Sequence, residues 1–158
     1  MSTTFKPLYG SSNQAISCTF TSLVNNACQG GAAINNTAAL FLDALVQVIV
    51  KAGASGTSAT GYVNIYAYGT ADGGTSYPEG AGTNTGLTLT VPTNLRVIGV
   101  LNVVADAATY KSEPMSVAAA FGGILPDHWG IALENKTGGT LDASTGSAFY
   151  QGINQQAV

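Results

Sequence analysis

Asp127 and His128 adjoin in the run Pro126-Asp127-His128-Trp129, the one place where a carboxylate stands beside an imidazole. A hydrolytic triad needs a nucleophile held by a base, which a third group orients in turn. His128 is the single histidine of the chain, so it alone could be that base. No Gly-x-Ser-x-Gly elbow accompanies it, and neither Cys18 nor Cys28 sits in a nucleophile motif. Pro126-Asp127 reads instead as the turn that starts a strand. The two cysteines lie ten residues apart, a spacing that fits no zinc site, and one histidine does not complete a metal set with them. Spacing alone leaves a disulfide open, whereas a reducing cytoplasm favours two free thiols that act as small hydrophobes. The acids Asp72, Glu79, Asp106, Asp127 and Asp142 are scattered over turns. They form neither the carboxylate pair of a glycosidase nor a calcium loop. The glycine pairs lack the lysine of a phosphate loop. These residues point away from an enzyme and imply no catalytic residue, no metal and no cofactor.

Composition points elsewhere. Only 8% of the 158 residues are charged while 46% are hydrophobic, against roughly 25% charged in an ordinary soluble domain. Charge repulsion keeps folded surfaces apart, so a chain this poor in charge needs cover, and other protein is the natural cover. The net charge of −3 comes without any cluster of Lys or Arg, which excludes nucleic acid as a partner. Residues 40–50 form the longest apolar run, but Asp43 and Gln47 interrupt it and it is too short to span a bilayer. No basic amphipathic segment suits a membrane surface. Residues 1–6 lack the basic and apolar regions of a signal peptide, so synthesis in the cytoplasm is expected.

The elements that must position any site read as strands. Thr, Asn and 20 glycines replace the Lys and Glu of helix surfaces. Period-two alternation marks strands at 15–24, 39–51, 62–68, 87–91, 95–105, 114–121, 128–136 and 147–155. Segments 25–37, 52–60 and 71–86 read as loops, and 107–113 as a connection. About eight strands with long connections predict an all-β domain, a single jelly-roll-like β-sandwich over 14–158. Residues 1–13 precede it as an irregular N-terminal arm.

Candidate binding residues sit in the arm and on one strand. Phe5, Leu8 and Tyr9 are large apolar groups that pack either on a neighbouring subunit or on an edge of their own domain. In 39–51, Leu40, Leu42, Ala44, Val46, Val48 and Val50 share one face. The opposite face mixes Asp43, Gln47 and Lys51 with Phe41, Leu45 and Ile49, as if a second layer touched it. In 62–68, Val63, Ile65 and Ala67 point inward, which leaves Tyr62, Tyr66 and Tyr68 as an outward stripe. Such a stripe suits a protein partner, a glycan, or cover by the domain's own loops. Charge-poor faces and edges without lysine suggest a homo-oligomer.

Five segments carry a family resemblance: Thr3-Thr4-Phe5-Lys6-Pro7-Leu8-Tyr9-Gly10, Phe41-Leu42-Asp43-Ala44-Leu45-Val46, Tyr62-Val63-Asn64-Ile65-Tyr66-Ala67-Tyr68-Gly69-Thr70, Tyr110-Lys111-Ser112-Glu113-Pro114-Met115-Ser116-Val117 and Trp129-Gly130-Ile131-Ala132-Leu133-Glu134-Asn135. Together they resemble small structural proteins of tailed-bacteriophage virions, along almost the whole chain. The resemblance implies a noncatalytic virion component made in the host cytoplasm. By analogy with jelly-roll decoration or cement proteins, it implies a trimer on the capsid surface that clamps the major capsid protein, with Phe5, Leu8 and Tyr9 anchoring the arm. A tail, collar or adaptor component of the same particle is the first alternative. A carbohydrate-binding module, stacking sugars on the tyrosines or Trp129, is the second.

Overall fold

The longest alternating segments become the centres of two sheets, as the computed structural model of residues 4–158 shows. In β5 (Asp43–Ala52), Ala44, Val46, Val48, Val50 and Ala52 are buried while the residues between them are half-buried. β-Branched side chains stiffen such a strand and fill its inner face. β12 (Leu141–Ala157) pairs with it from Asp43↔Ile153 to Val50↔Gly146, with a register shift between Leu141 and Gly146. β1 (Phe5–Tyr9) and β2 (Gln14–Ile16) flank β12, and β9 (Thr109–Lys111) and β10 (Met115–Ser116) flank β5. In the second sheet, β11 (His128–Lys136) lies between β6 (Tyr62–Thr70) and the pair β3 (Cys28–Gly30) and β4 (Ile34–Asn35). β8 (Arg96–Asn102) extends it beyond β6, and β7 (Gly86–Leu87) extends it beyond β3.

All these pairings are antiparallel. With β1/β2, β3/β4 and β9/β10 each taken as one interrupted strand, the first sheet runs β1/β2, β12, β5, β9/β10 and the second β3/β4, β11, β6, β8. That order is a jelly-roll sandwich. Helical turns among the described residues are two 3-10 segments, Pro78–Gly80 and Ala118–Phe121.

Trp129, Ile131, Leu133, Val63, Ile65, Phe20 and the inner face of β5 fill the space between the sheets. A second apolar cluster lies on the far side of the second sheet. Cys28, Tyr66, Tyr68 and Ala132 there are covered by Tyr77, Ala81, Leu87, Leu89 and Leu95 from segment 71–95. Burial along the strands records the difference. β5 is buried on one face only, whereas β11 is buried at six of its nine positions, including Gly130 and Ala132 on the outer side.

The two ends of the sandwich also differ. At one end the loops 17–27, 53–61, 103–108 and 137–140 are tied by backbone bonds such as Ser58 N–H to Thr137 O (2.7 Å) and Ala107 N–H to Gly53 O (2.8 Å). Asn135 anchors them. Its amide donates to Leu23 O and Gly139 O, and its Oδ1 accepts from the backbone and hydroxyl of Thr137. The opposite end, formed by segments 36–42 and 117–127 with the β1–β12 ribbon, exposes Leu40, Leu42, Ile124 and Phe5.

Several elements depart from the sequence reading. Residues 5–9 of the expected irregular arm form the edge strand β1, and residues 1–3 lie outside the described residues. Strand 15–24 contracts to Gln14–Ile16, because the chain turns at Asn13 and Ser22, both at positive φ, and crosses to the other sheet. Phe20 and Leu23 enter the core from that crossing rather than from a ladder. The 25–37 loop contains β3 and β4, and the 107–113 connection contains β9. Leu40 and Leu42 are exposed rather than sharing the inner face, since the chain enters the sheet only at Asp43. Strands 87–91 and 114–121 shrink to two residues each, the latter giving way to a 3-10 turn.

Candidate interaction surface

Most of the carboxylates are occupied in holding the fold. Six of the eight acids accept hydrogen bonds from their own chain. Asp72 takes the hydroxyls of Thr70 (2.6 Å) and Ser76 (2.6 Å) and two backbone N–H groups. Glu79 Oε1 accepts from Thr90 (2.7 Å), Thr93 (2.9 Å) and the N–H of Asn94 (2.7 Å), which staples the 90–94 loop. Asp43 binds Ser116 and the N–H groups of Ala44 and Ala118. Asp106 accepts from Thr57, Asp142 holds the Ser144 turn, and Glu134 lies in the cluster described below. Hydrogen bonds to the charged form hold Asp72, Asp106 and Asp142 below the usual carboxylate range.

His128 Nδ1 stands 3.6 Å from Asp127 Oδ1, beyond hydrogen-bond reach, and neither atom has another partner. Cys18 and Cys28 are unbridged. Burial, reinforced by Glu134 and Glu79, pushes the Cys28 thiol up to about 12, and burial raises Cys18 as well. Thiolate chemistry is thereby suppressed at neutral pH. Among the described residues no group of three His, Cys, Asp or Glu is placed to hold a metal ion.

The tyrosine stripe requires a correction. Tyr66 and Tyr68 are 5% and 1% exposed, lying beneath segment 71–95, and only Tyr62 retains a partly open ring. Tyr77 meets Tyr68 edge to face at 5.5 Å. Tyr68 donates to Gly31 O, and Tyr66 donates to Glu134 Oε2 at 2.8 Å. Burial first, then the Glu134 bond, raises the Tyr66 pKa. Glu134 also accepts from Asn64 (2.9 Å) and pairs with Lys136 (2.9 Å), which reaches Asn26 Oδ1 (3.2 Å). Burial would raise the Glu134 pKa, but the bonds from Lys136, Asn64 and Tyr66 outweigh it and hold the carboxyl below its ordinary value. A groove of about 510 Å³ lies over this cluster, with residues 87–93 along its rim. Tyr66, the one tyrosine in its lining, is nearly buried, and Trp129 is fully buried between the sheets.

Phe5, Leu8 and Tyr9, by contrast, are exposed together. Residues 154–157 of β12 pair only with β1, so Phe5–Leu8 and their partners form a two-stranded ribbon that overhangs β5. Such a ribbon is marginal in water without a packed face. Between the ribbon and the 117–123 turn runs a groove of about 430 Å³, lined by Phe5, Pro7, Leu42, Ala118, Ala119 and Ile153 and floored by Asp43 and Ser116. Beside it Ile124 is 72% exposed, at the rim of a second hollow that Phe121, Leu125 and Pro126 line. Sequence reasoning singled out Phe5, Leu8 and Tyr9 but not Ile153, Ile124 or the Ala118-Ala119 pair. The odd-numbered alternation through Phe149 and Ile153 was the available signal for the first of these.

No protein-family model, curated protein or solved structure matches the chain. Among the described residues no helix is long and apolar enough to cross a membrane.

Proposed function

We propose that this chain is a noncatalytic structural protein of a bacteriophage virion, a decoration or cement protein that binds the major capsid shell as an oligomer. One observation supports the reading above the others: the apolar end, where Phe5, Leu42, Ile124 and the 430 Å³ groove stand open. Exposed apolar patches rimmed by polar groups mark protein contacts. The sequence resemblance supplies the kind of particle. The acids and thiols engaged in the fold agree with a binding role. A partner that binds only the assembled shell stabilises it by mass action.

The test adds purified protein to shells that lack it and measures resistance to heat or chemical disruption. Raised resistance with many copies spread over the shell supports decoration. Absence of binding overturns the reading. A few copies at one vertex would transfer the protein to the tail, collar or adaptor apparatus. The carbohydrate-binding alternative loses its platform, since Tyr66, Tyr68 and Trp129 are buried.

A further inference from the structure

The two sheets treat their outer faces differently. Segment 71–95 covers the outer face of the second sheet over Cys28, Tyr66, Tyr68 and Ala132, leaving β8 open at Val97 and Val100. The outer face of the first sheet has no such cover, yet it is built like an interior. Its rows follow from the register: Tyr9–Ile153–Asp43, Gln151–Leu45–Ser116 and Ala15–Phe149–Gln47 lie side by side. An antiparallel sheet with one wet face normally alternates apolar inside with polar outside. Here Leu45, Ile49, Phe149 and Ile153 occupy positions that water should favour for polar groups, and all are only half-buried.

Around Leu45 and Phe149 the polar side chains Gln47, Gln151 and Asp43 already have partners. Gln47 Nε2 donates to Ser112 O (3.1 Å) and Gln151 Nε2 donates to Gly10 O (2.9 Å). Asp43 accepts its three bonds from residues 44, 116 and 118, and Lys51 pairs with Asp142 at 3.1 Å. Burying polar groups that keep their partners costs little, whereas burying orphaned ones costs much.

Charge then selects the occupant. Strands and turns of the first sheet carry Lys6, Lys51 and Lys111 against Asp43, Glu113 and Asp142, so this side is neutral. The rest of the chain carries Arg96 and Lys136 against Asp72, Glu79, Asp106, Asp127 and Glu134, which is the whole net charge of −3. Two copies of an acidic chain repel wherever their charged sides meet. The first sheet is the side on which they do not. The edge of β1 offers no substitute route. Thr4 and Val158 exchange backbone bonds, so Phe5, Pro7 and Tyr9 direct their backbone outward, and Pro7 has no N–H to give.

We infer that the outer face of the first sheet, centred on Leu45 and Phe149, is where one copy of this chain seats against another. The inference deepens the structural role proposed above by naming the self-contact within it. Its test needs no particle, so either idea can fail without the other.

Light scattering of the full chain should give a mass that is a multiple of 15.9 kDa and that does not change between low and high salt. The double variant Leu45→Glu, Phe149→Glu should fall to the single-chain mass. Val100→Glu, on the exposed β8 strand of the other sheet, should keep the parental mass. A parental chain that is monomeric, a double variant that keeps the parental mass, or dissociation by Val100→Glu would each overturn the inference. Should the double variant fail to fold, hydroxyl-radical labelling of the parental chain decides. Protection of Phe149 that rises with protein concentration supports the contact, and protection independent of concentration overturns it.

Discussion

Trp129 of β11 and Tyr150 of β12 meet edge to face across the interior, their ring centroids 5.3 Å apart and their planes at 89°. The pair joins the two sheets at their central strands. Trp129→Ala should cost roughly 3–5 kcal/mol by leaving a cavity. Tyr150→Leu should cost about 1 kcal/mol through the lost aromatic contact. Urea denaturation monitored by circular dichroism measures both, and near-equal losses would contradict the packing.

Phe41 lies flat on Gly152 of β12 and beside Gly10, where an added methyl would overlap its ring. Gly152→Ala should therefore lower stability by about 1–3 kcal/mol through overpacking. Phe41→Ala combined with it should recover part of the loss, because the methyl then has room. Thermal unfolding of the single and double variants checks this, and simple additivity would refute the contact.

Acid should loosen the protein through the carboxylates held below their ordinary range: Asp72, Glu79, Asp106, Glu134 and Asp142. A depressed pKa gives stability that is complete above the unfolded value, near 4 for a carboxylate, and that is lost as pH falls through the folded value. Melting temperature should thus hold steady from neutral pH down to about 5 and then decline. Glu134→Gln should melt lower than the parental chain at pH 7 and converge with it in strong acid. A constant gap at every pH would exclude Glu134 from the acid response.

Both thiols should resist alkylation in the native state, given the burial that raises their pKa values. Mass spectrometry after iodoacetamide should show no adduct before denaturation and two after it. Rapid native labelling of Cys28 would mean that the 71–95 cover opens readily.

That cover depends on two staples, Tyr77 against Tyr68 and Glu79 on the 90–94 loop. Glu79→Ala should increase proteolysis within 87–95 while leaving the melting temperature nearly unchanged, because the main core lies on the other side of the sheet. Mapping early cleavage sites by mass spectrometry tests it.

Strands whose neighbours lie on both sides were plain in the sequence. The bounds 128–136 are those of β11, and the inward set Val46, Val48 and Val50 is the inner face of β5. β3 was hidden because Gly30 and Gly31 erase alternation. They are glycine because Leu87 and the carbonyl of Ile131 press on them. The fate of the tyrosines was hidden for another reason. Leu87 and Leu89 alternate with threonines, but that alternation reads only as a strand, and nothing in the spacing of Tyr77, Leu87, Leu89 and Leu95 reveals that they fold back over β6. Phe5, Leu8 and Tyr9 were legible as residues but not as a strand, since their ladder partner lies near the opposite end of the chain.

The pairing of β1 with β12 also sets a timetable for synthesis. β12 is the hub of its sheet, bonded to β1, β2 and β5, yet it is the last of that sheet's strands to be synthesised. Until residues 141–157 emerge, one edge of β5 has no partner and β1 has none at all. Contacts this distant along the chain close slowly. The nascent chain must therefore wait with its valine-rich strand uncovered, and transiently exposed apolar surface of this kind is prone to aggregate.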